Sequence, residues 1–438
     1  MNSEGIKEMM KKLILLCLIN SLVLFAGIAF AKQKTPDEAL LLLGKSIYND
    51  KNLSINNNQS CKSCHHNKAG FADMANANNP SINVVSVGSI TTETGGLNAP
   101  TAAYAAYSPS MFWDGELFIG GIFWNGRAHG HKEFNVDCLV PGYDVDPLFS
   151  PLAEQAQGPF TNPVEMALPD NAEVVARVAA ADYAYLFDLA FGFVDFGDVD
   201  LTFDQIAIAI AFFEESDVLN QFSSVYDTGV MTPEQQAGLA LFMDENNAND
   251  GTGGGAMCVL CHVTDGGPGA AEFTDFSYDN LGIPVNPIIA AKGVDPGLGG
   301  FIQSILDAPE NYPATLVDQI NAGDGADANR GKHKVSTLRN IALTPPYGHN
   351  GFFPNLTSIV QFYNSRDPLA CSNIVGGIPV TPALLDAGII PGYNGITGYC
   401  WPLPEIETNM NQAELGNLGL TSAEVDSIVA FLEALTDQ

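Results

Sequence analysis

Cys61-Lys62-Ser63-Cys64-His65 and, further along, Cys258-Val259-Leu260-Cys261-His262 decide how this 438-residue chain is read. Two thiols at this spacing can add across the two vinyl groups of one haem. The histidine that follows then reaches the iron from the same face. The pattern predicts two covalently bound c-type haems, one on Cys61 and Cys64 and one on Cys258 and Cys261. His65 and His262 are the expected iron ligands. A single structural zinc held by both thiol pairs is the competing chemistry. A histidine directly behind each pair argues against it.

The same preamble precedes each motif. Thr35-Pro36-Asp37-Glu38 offers an N-cap, a first-turn proline and a capping-box acid before Ala39 to Leu43. Thr232-Pro233-Glu234-Gln235 does the same before Gly238 to Met243. Helix, polar loop and Cys-x-x-Cys-His thus occur twice, which predicts a duplicated haem domain. The expected units are residues 32–228 and 229–438, divided within 226–232. Thr421-Ser422-Ala423-Glu424 opens a last helix whose Val425, Ile428, Val429, Leu432 and Leu435 form one apolar stripe. Strand-like alternation is sparse, and 43 Gly and 26 Pro are spread through long connections. The expected fold is mainly α: two cytochrome c-like haem domains with long irregular loops. Asn246 to Gly255 reads as a flexible connection, since its spacing fits no EF-hand.

Fifty acidic residues against 18 basic ones give a formal charge of −32. Nucleic acid and anionic membrane surfaces would repel such a chain. A basic or locally complementary redox partner suits it, although acidity also serves solubility alone. Residues 1–31 read as a signal peptide: Lys11 and Lys12 precede an apolar run from Leu13 to Phe30, and Ala29-Phe30-Ala31 offers a small-x-small cleavage site. An uncleaved anchor is the alternative, because the run is nearly long enough to span a bilayer. No second long apolar run follows, so no membrane span is expected after cleavage, and the location expected is the periplasm or beyond the cell. Of eight cysteines, Cys17 lies in the apolar run and four in the haem motifs, leaving Cys138, Cys371 and Cys400. A Cys371–Cys400 disulfide with Cys138 odd is one pairing for an oxidising compartment; Cys138 in place of either stays open.

Further segments carry a family resemblance. They are Phe123-Trp124-Asn125-Gly126-Arg127, Glu154-Gln155, the run from Gly158 through Pro159 and Glu165 to Met166, and the run from Leu338 to Gly351. With the two haem motifs, they resemble the bacterial di-haem cytochrome c peroxidase and MauG family from about residue 40 to 435. The resemblance implies that the His65 haem is peroxidatic and that Glu165 is the distal acid, with Gln155 and Pro159 beside it. A carboxylate there would take a proton from peroxide and return it to the leaving oxygen. The bland reading of Glu165 is a capped or paired surface acid. Trp124 matches the family's inter-haem tryptophan. The echo Phe112-Trp113-Asp114-Gly115-Glu116 fits less well, having Glu116 where Arg127 stands; a packed core tryptophan is the plain alternative for either. The resemblance also implies a calcium ion held by Asn98 and the backbone oxygens of Thr344 and Pro346. Family members are often dimers, so a homodimer is a further expectation, although no segment here proves an interface.

Three departures from the ordinary peroxidase pattern matter. His349 sets the register of the second haem's sixth ligand, and Tyr363 stands where ordinary members have Met. A phenolate is a hard anionic donor that would lower the potential relative to a thioether; a packed aromatic is the alternative. Between Asn67 and Tyr107 there is no histidine, and His66 lies too close to the motif to cover the opposite face, so the first iron is expected to stay open. An insertion between Arg127 and Gln155 carries His129, His131 and Cys138. Iron capping or metal binding is conceivable there, and ordinary histidines on an exposed loop are the simpler reading. The cluster Arg330, Lys332, Lys334 and Arg339 suits haem propionates, an acidic partner's docking patch, or a solvated loop.

The function expected is reduction of hydrogen peroxide to water, with electrons from a small redox protein (cytochrome c or cupredoxin) passing from the C-terminal to the N-terminal haem. One alternative is a MauG-like oxidase that modifies Trp or Tyr of a partner protein. The alternative of another class is a non-catalytic electron-transfer cytochrome with both irons six-coordinate.

Overall fold

The computed structural model describes residues 35–134, 150–247, 254–265, 267 and 269–438. The expected signal peptide with Cys17, Cys138, and most of the Asn246 to Gly255 connection lie outside the described residues. Helices dominate, and the strands are two-residue pairs such as Phe112–Trp113 against Phe118–Ile119. This is the mainly α architecture expected.

Six helices position the chemistry: α1 (Pro36–Asn49), α2 (Pro151–Thr161), α3 (Val199–Glu214), α4 (Pro233–Met243), α5 (Leu356–Ser365) and α6 (Ser422–Glu433). Thr35, Thr232 and Thr421 cap α1, α4 and α6, each with a reciprocal bond from the residue three places on. Two orphan N–H groups are satisfied at each start, which is why these boundaries are legible from four letters of sequence.

α1 crosses α3, and α4 crosses α6. Both crossings depend on a glycine. A Cβ on Gly44 would sit 1.8 Å from the Ala209 carbonyl oxygen, and one on Gly238 would sit 1.9 Å from that of Ser427. Backbone approaches backbone at these points, and no larger residue fits. α3 is buried almost all round, from Thr202 to Phe213, and is the central rod of a first apolar cluster running from Ala39 to Leu219. A second cluster gathers Tyr226, Phe242, Phe273, Phe353, Trp401 and Phe431. A third joins Met111 and Phe118 to Tyr278, Leu298 and Ile302, far apart in sequence.

The duplication extends beyond the helices. Phe71 and Phe273 both have positive φ and both accept a bond from the histidine of their haem motif. Thr101 donates to the Gly70 carbonyl as Thr337 does to that of Glu272. Tyr104 and Asn340, each left-handed, then open equivalent short 3-10 turns.

Two ties hold the irregular segments. Cys371 and Cys400 form a disulfide. Arg339, fully buried, grips Asp227 with both terminal nitrogens and donates from Nε to the Ala271 carbonyl. That overturns its expected grouping with Arg330, Lys332 and Lys334: Arg339 serves neither a propionate nor a docking patch, because its charge is spent inside the core. Arg330 is exposed, while Lys334 turns inward.

Candidate functional site

Each Cys-x-x-Cys-His segment forms a single tight turn. The His65 N–H bonds the Cys61 carbonyl at 2.9 Å, and the His262 N–H bonds that of Cys258 at the same distance. The thiols and imidazole of one motif therefore face one space. His65 Nδ1 lies 3.1 Å from the Phe71 carbonyl oxygen, and His262 Nδ1 lies 2.8 Å from that of Phe273. A carbonyl only accepts, so Nδ1 carries the proton and Nε2 keeps its lone pair for a metal. Burial lowers the pKa of both imidazoles, favouring the neutral, ligating form.

Two cavities receive these groups, each with an empty volume of about 1470 Å³. One is lined by Cys61, Cys64 and His65 and the other by Cys258, Cys261 and His262. All four thiols are free, and no four-thiolate cluster exists among the described residues. The shared-zinc alternative is thereby removed. A haem fits each cavity: the walls are largely apolar, the thiol pair sits beside an imidazole whose Nδ1 is held by a carbonyl, and the first cavity leaves the buried Oε2 of Glu214 without a partner. The sole acid–thiol cluster that could hold a metal among the described residues is Cys261, Asp279 and Glu414, and Cys261 belongs to a haem motif.

The first cavity contains Gln155, Pro159 and Glu165. Gln155 and Pro159 are one turn apart on α2, and proline has no N–H to give the Gln155 carbonyl. After α2 the chain turns back, with the Met166 N–H on the Pro159 carbonyl at 3.1 Å, and this aims Glu165 inward. Asn162 Nδ2 donates to Glu165 Oε1 at 2.9 Å. Burial raises the Glu165 pKa, and the Arg127 guanidinium and the Asn162 bond oppose that rise. Glu165 is thus a half-buried carboxyl on the cavity wall with one side-chain hydrogen bond, not a paired surface acid.

Trp124 lines both cavities, and its Nε1 donates to the Asn98 carbonyl at 2.8 Å. Trp113 instead packs on Phe118 beside the third cluster. Tyr363, on α5, lines the second cavity with His262, and burial drives its phenol pKa far up. Asn98, Thr344 and Pro346 come together on the wall of that cavity. Their oxygens are all neutral, and Asn98 Nδ2 donates to the Pro346 carbonyl at 2.6 Å.

His129 and His131 do not sit on an exposed loop. His129 is buried with Nε2 3.0 Å from Glu154 Oε1. His131 Nε2 is 2.6 Å from the Met111 carbonyl, and its Nδ1 is 3.0 Å from Thr315 Oγ1. Neither lines a haem cavity. Both anchor the start of the insertion.

Several wall residues carry no local motif. Glu214, at the end of α3, is buried in the first cavity, and burial pushes its pKa up to about 8. Lys334 lines the second cavity, with burial pushing its ammonium down to about 7. Asp295 on the first cavity pairs with His333 on the second, Oδ1 to Nε2 at 3.3 Å. The His333 ring stacks on His349 at 3.6 Å, and His349 Nε2 meets Glu405 Oε2 at 2.8 Å. Glu214, Asp295 and His333 have neither a periodicity nor a metal spacing to flag them, while Lys334 and His349 stand out in the sequence without these partners.

Comparison with known proteins agrees with this geometry. A sequence profile described as di-haem cytochrome c peroxidase matches residues 38–236. Methylamine utilization protein MauG of Paracoccus denitrificans (strain Pd 1222) is 34% identical, across 97% of this chain and 95% of that protein. Cytochrome c551 peroxidase of Nitrosomonas europaea is 28% identical, across 75% of this chain and 74% of that protein. The crystal structure of the diheme peroxidase BthA from Burkholderia thailandensis E264 superposes with a TM-score of 0.64 at 27% identity, covering 91% of this chain and 86% of that one. This chain belongs to the di-haem cytochrome c peroxidase and MauG family, whose members are oxidoreductases built on two c-type haems.

Proposed function

We propose that the protein reduces hydrogen peroxide to water at the first cavity, using electrons that enter through the second. The observation that carries this reading is the convergence of Gln155, Pro159 and Glu165 on the cavity that also holds Cys61, Cys64 and His65. A c-type haem bound there supplies the iron at which peroxide is reduced. Cys61 and Cys64 would bind that haem covalently, and His65 would ligate its iron through Nε2. Glu165, as carboxylate, accepts the proton of the nearer peroxide oxygen and hands it to the oxygen that leaves as water. Gln155 offers its amide to orient the peroxide. Cys258, Cys261 and His262 would hold the second haem, and Tyr363, in the wall of the same cavity, would be a further ligand to its iron. Trp124, in the wall of both cavities, carries electrons between them.

Calcium joins this proposal as a structural ion on Asn98 and the carbonyl oxygens of Thr344 and Pro346. Turning the Asn98 amide would present Oδ1 beside the Pro346 carbonyl, with waters completing the shell. The division of the chain at residues 228 and 229, cleavage after residue 31, a periplasmic location and a homodimeric state belong to the same reading. Among the described residues no helix is long and apolar enough to cross a membrane.

One observation favours a second reading. Tyr363 occupies the second cavity, and the first relative named above is a MauG. A phenolate ligand favours higher oxidation states, as an oxidase acting on a partner's Trp or Tyr would need. Peroxide turnover with reduced cytochrome c separates the readings. Rapid oxidation of the cytochrome supports peroxidase activity. Negligible oxidation, with peroxide still altering the haem spectrum, supports the partner-modifying enzyme.

A further inference from the structure

Between the haem cavities lies a smaller space of about 500 Å³ whose walls include Trp124 and Tyr104. Tyr104 has no part in the chemistry described so far. Its side chain is 1% exposed, and its hydroxyl donates to Asp437 Oδ2 at 2.8 Å. The same hydroxyl accepts the Phe222 N–H at 2.9 Å, which fixes the direction of its proton. Asp437 is held in turn by Asn340 Nδ2 on Oδ2 at 2.9 Å and by the Ser223 N–H on Oδ1 at 2.9 Å. A buried phenol aimed at an anchored carboxylate can lose an electron and a proton together.

A way out to solvent adjoins it. The Tyr104 ring stacks with Tyr107 at 6.3 Å between centroids, and Tyr107 is 43% exposed. Phe222 meets both rings edge-on. The Arg339 guanidinium lies 5.5 Å from the Tyr104 ring, but Asp227 balances its charge. Burial raises the Tyr107 pKa, and Glu272, Asp217 and Glu215 add to that rise against Arg339, a mainly acidic setting that suits a positively charged reductant. The duplicated unit has Asn340 where this one has Tyr104, so the oxidisable ring exists on one side only.

We propose that Tyr104 and Tyr107 form a second exit for oxidising equivalents, from Trp124 to a surface site that takes a cationic one-electron donor. The oxidant is hydrogen peroxide, so the proposal rests on the peroxide reading above. One electron leaves the Tyr104 ring towards the oxidised centre by way of Trp124. The phenolic O–H bond breaks, its proton forms an O–H bond at Asp437 Oδ2, and a neutral tyrosyl radical remains. An electron from Tyr107 then refills Tyr104, which recovers its proton from Asp437. Tyr107 releases its own proton to water and regains an electron and a proton when the donor is oxidised. Trp124 differs in kind: its Nε1–H faces a carbonyl, which is too weak a base to take the proton.

The test is freeze-quench electron paramagnetic resonance of the two-haem protein mixed with one equivalent of peroxide, with ring-deuterated tyrosine to identify the radical. A tyrosyl signal is expected in the parent protein, lost in Tyr104→Phe and reduced several-fold in Asp437→Asn, while the haem optical response persists in all three. Tyr107→Phe should lengthen the signal's lifetime several-fold when hexaammineruthenium(II) is the donor. A haem response without any tyrosyl signal, an undiminished signal in Tyr104→Phe, or a lifetime unchanged by Tyr107→Phe overturns the proposal alone. No haem response to peroxide in the parent protein overturns the peroxide reading and this exit with it.

Discussion

Trp124 donates its indole N–H to the backbone carbonyl of Asn98, 2.8 Å away, from a position in the wall of both haem cavities. A carbonyl fixes the ring without being able to deprotonate it, so an oxidised Trp124 keeps its proton. Electron transfer through it then needs no proton movement. Trp124→Phe should keep both haems and slow peroxide-driven oxidation of cytochrome c by at least about tenfold, or about 1.4 kcal/mol in the barrier. Stopped-flow kinetics against the haem content of the variant check this.

Glu165 is the group whose loss should be most expensive to the chemistry. Removing a positioned acid–base catalyst costs roughly 10²- to 10⁴-fold, and Glu165→Gln should show a loss of that order in the rate of reaction with peroxide. The pH profile provides the sign. Burial, partly offset by Arg127 and Asn162, places the Glu165 pKa above the ordinary carboxylic range. The parent rate should therefore climb as pH rises through that raised value, where the carboxylate forms. The Gln variant should be flat over the same span.

Tyr363 and His262 line one cavity, and burial raises the Tyr363 phenol pKa, so the phenol resists ionisation. A cation such as ferric iron would favour the phenolate there. Tyr363→Met replaces a hard anionic donor by a soft neutral one, so the potential of the second haem should rise. Spectroelectrochemical titration measures it, and an unchanged potential removes Tyr363 from the coordination sphere.

Glu214 should make stability depend on pH. The folded protein holds its proton up to about pH 8, whereas an exposed glutamate releases it near 4.5. Between those values the unfolded chain binds fewer protons than the folded one, so stability falls as pH rises, by roughly 1.4 kcal/mol per unit at most. Glu214→Gln removes that slope. Its melting temperature should gain on the parent protein when the comparison moves from pH 5 to pH 8.

Arg339 and Asp227 are both buried, so removing one leaves the other charged and unpaired. Arg339→Met should cost about 3–5 kcal/mol in denaturant unfolding, and adding Asp227→Leu should recover much of it.

What could be read in advance follows from how local each signal is. The haem motifs and the three capping boxes are complete within four or five residues, and the structure forms them where the letters stand. Spacing alone does not separate Cys371 and Cys400 from Cys138; the Cys371–Cys400 bond is set by the fold. Glu165, Gln155 and Trp124 stood out only through family resemblance, because a lone acid or tryptophan has no spacing to betray it. Arg339 looked like part of a basic surface cluster, since nothing near it in sequence announces Asp227. His129 looked exposed for the same reason: Glu154 lies across an insertion. Glu214, Asp295 and the His333–His349 stack are created by tertiary contacts alone.

The account depends on one of the two irons keeping a face free for peroxide. Electron paramagnetic resonance of the isolated ferric protein with both haems attached tests this most directly. One high-spin and one low-spin signal of equal intensity are predicted, the high-spin signal belonging to the His65 haem. Two low-spin signals, each from an iron with six ligands, would contradict it.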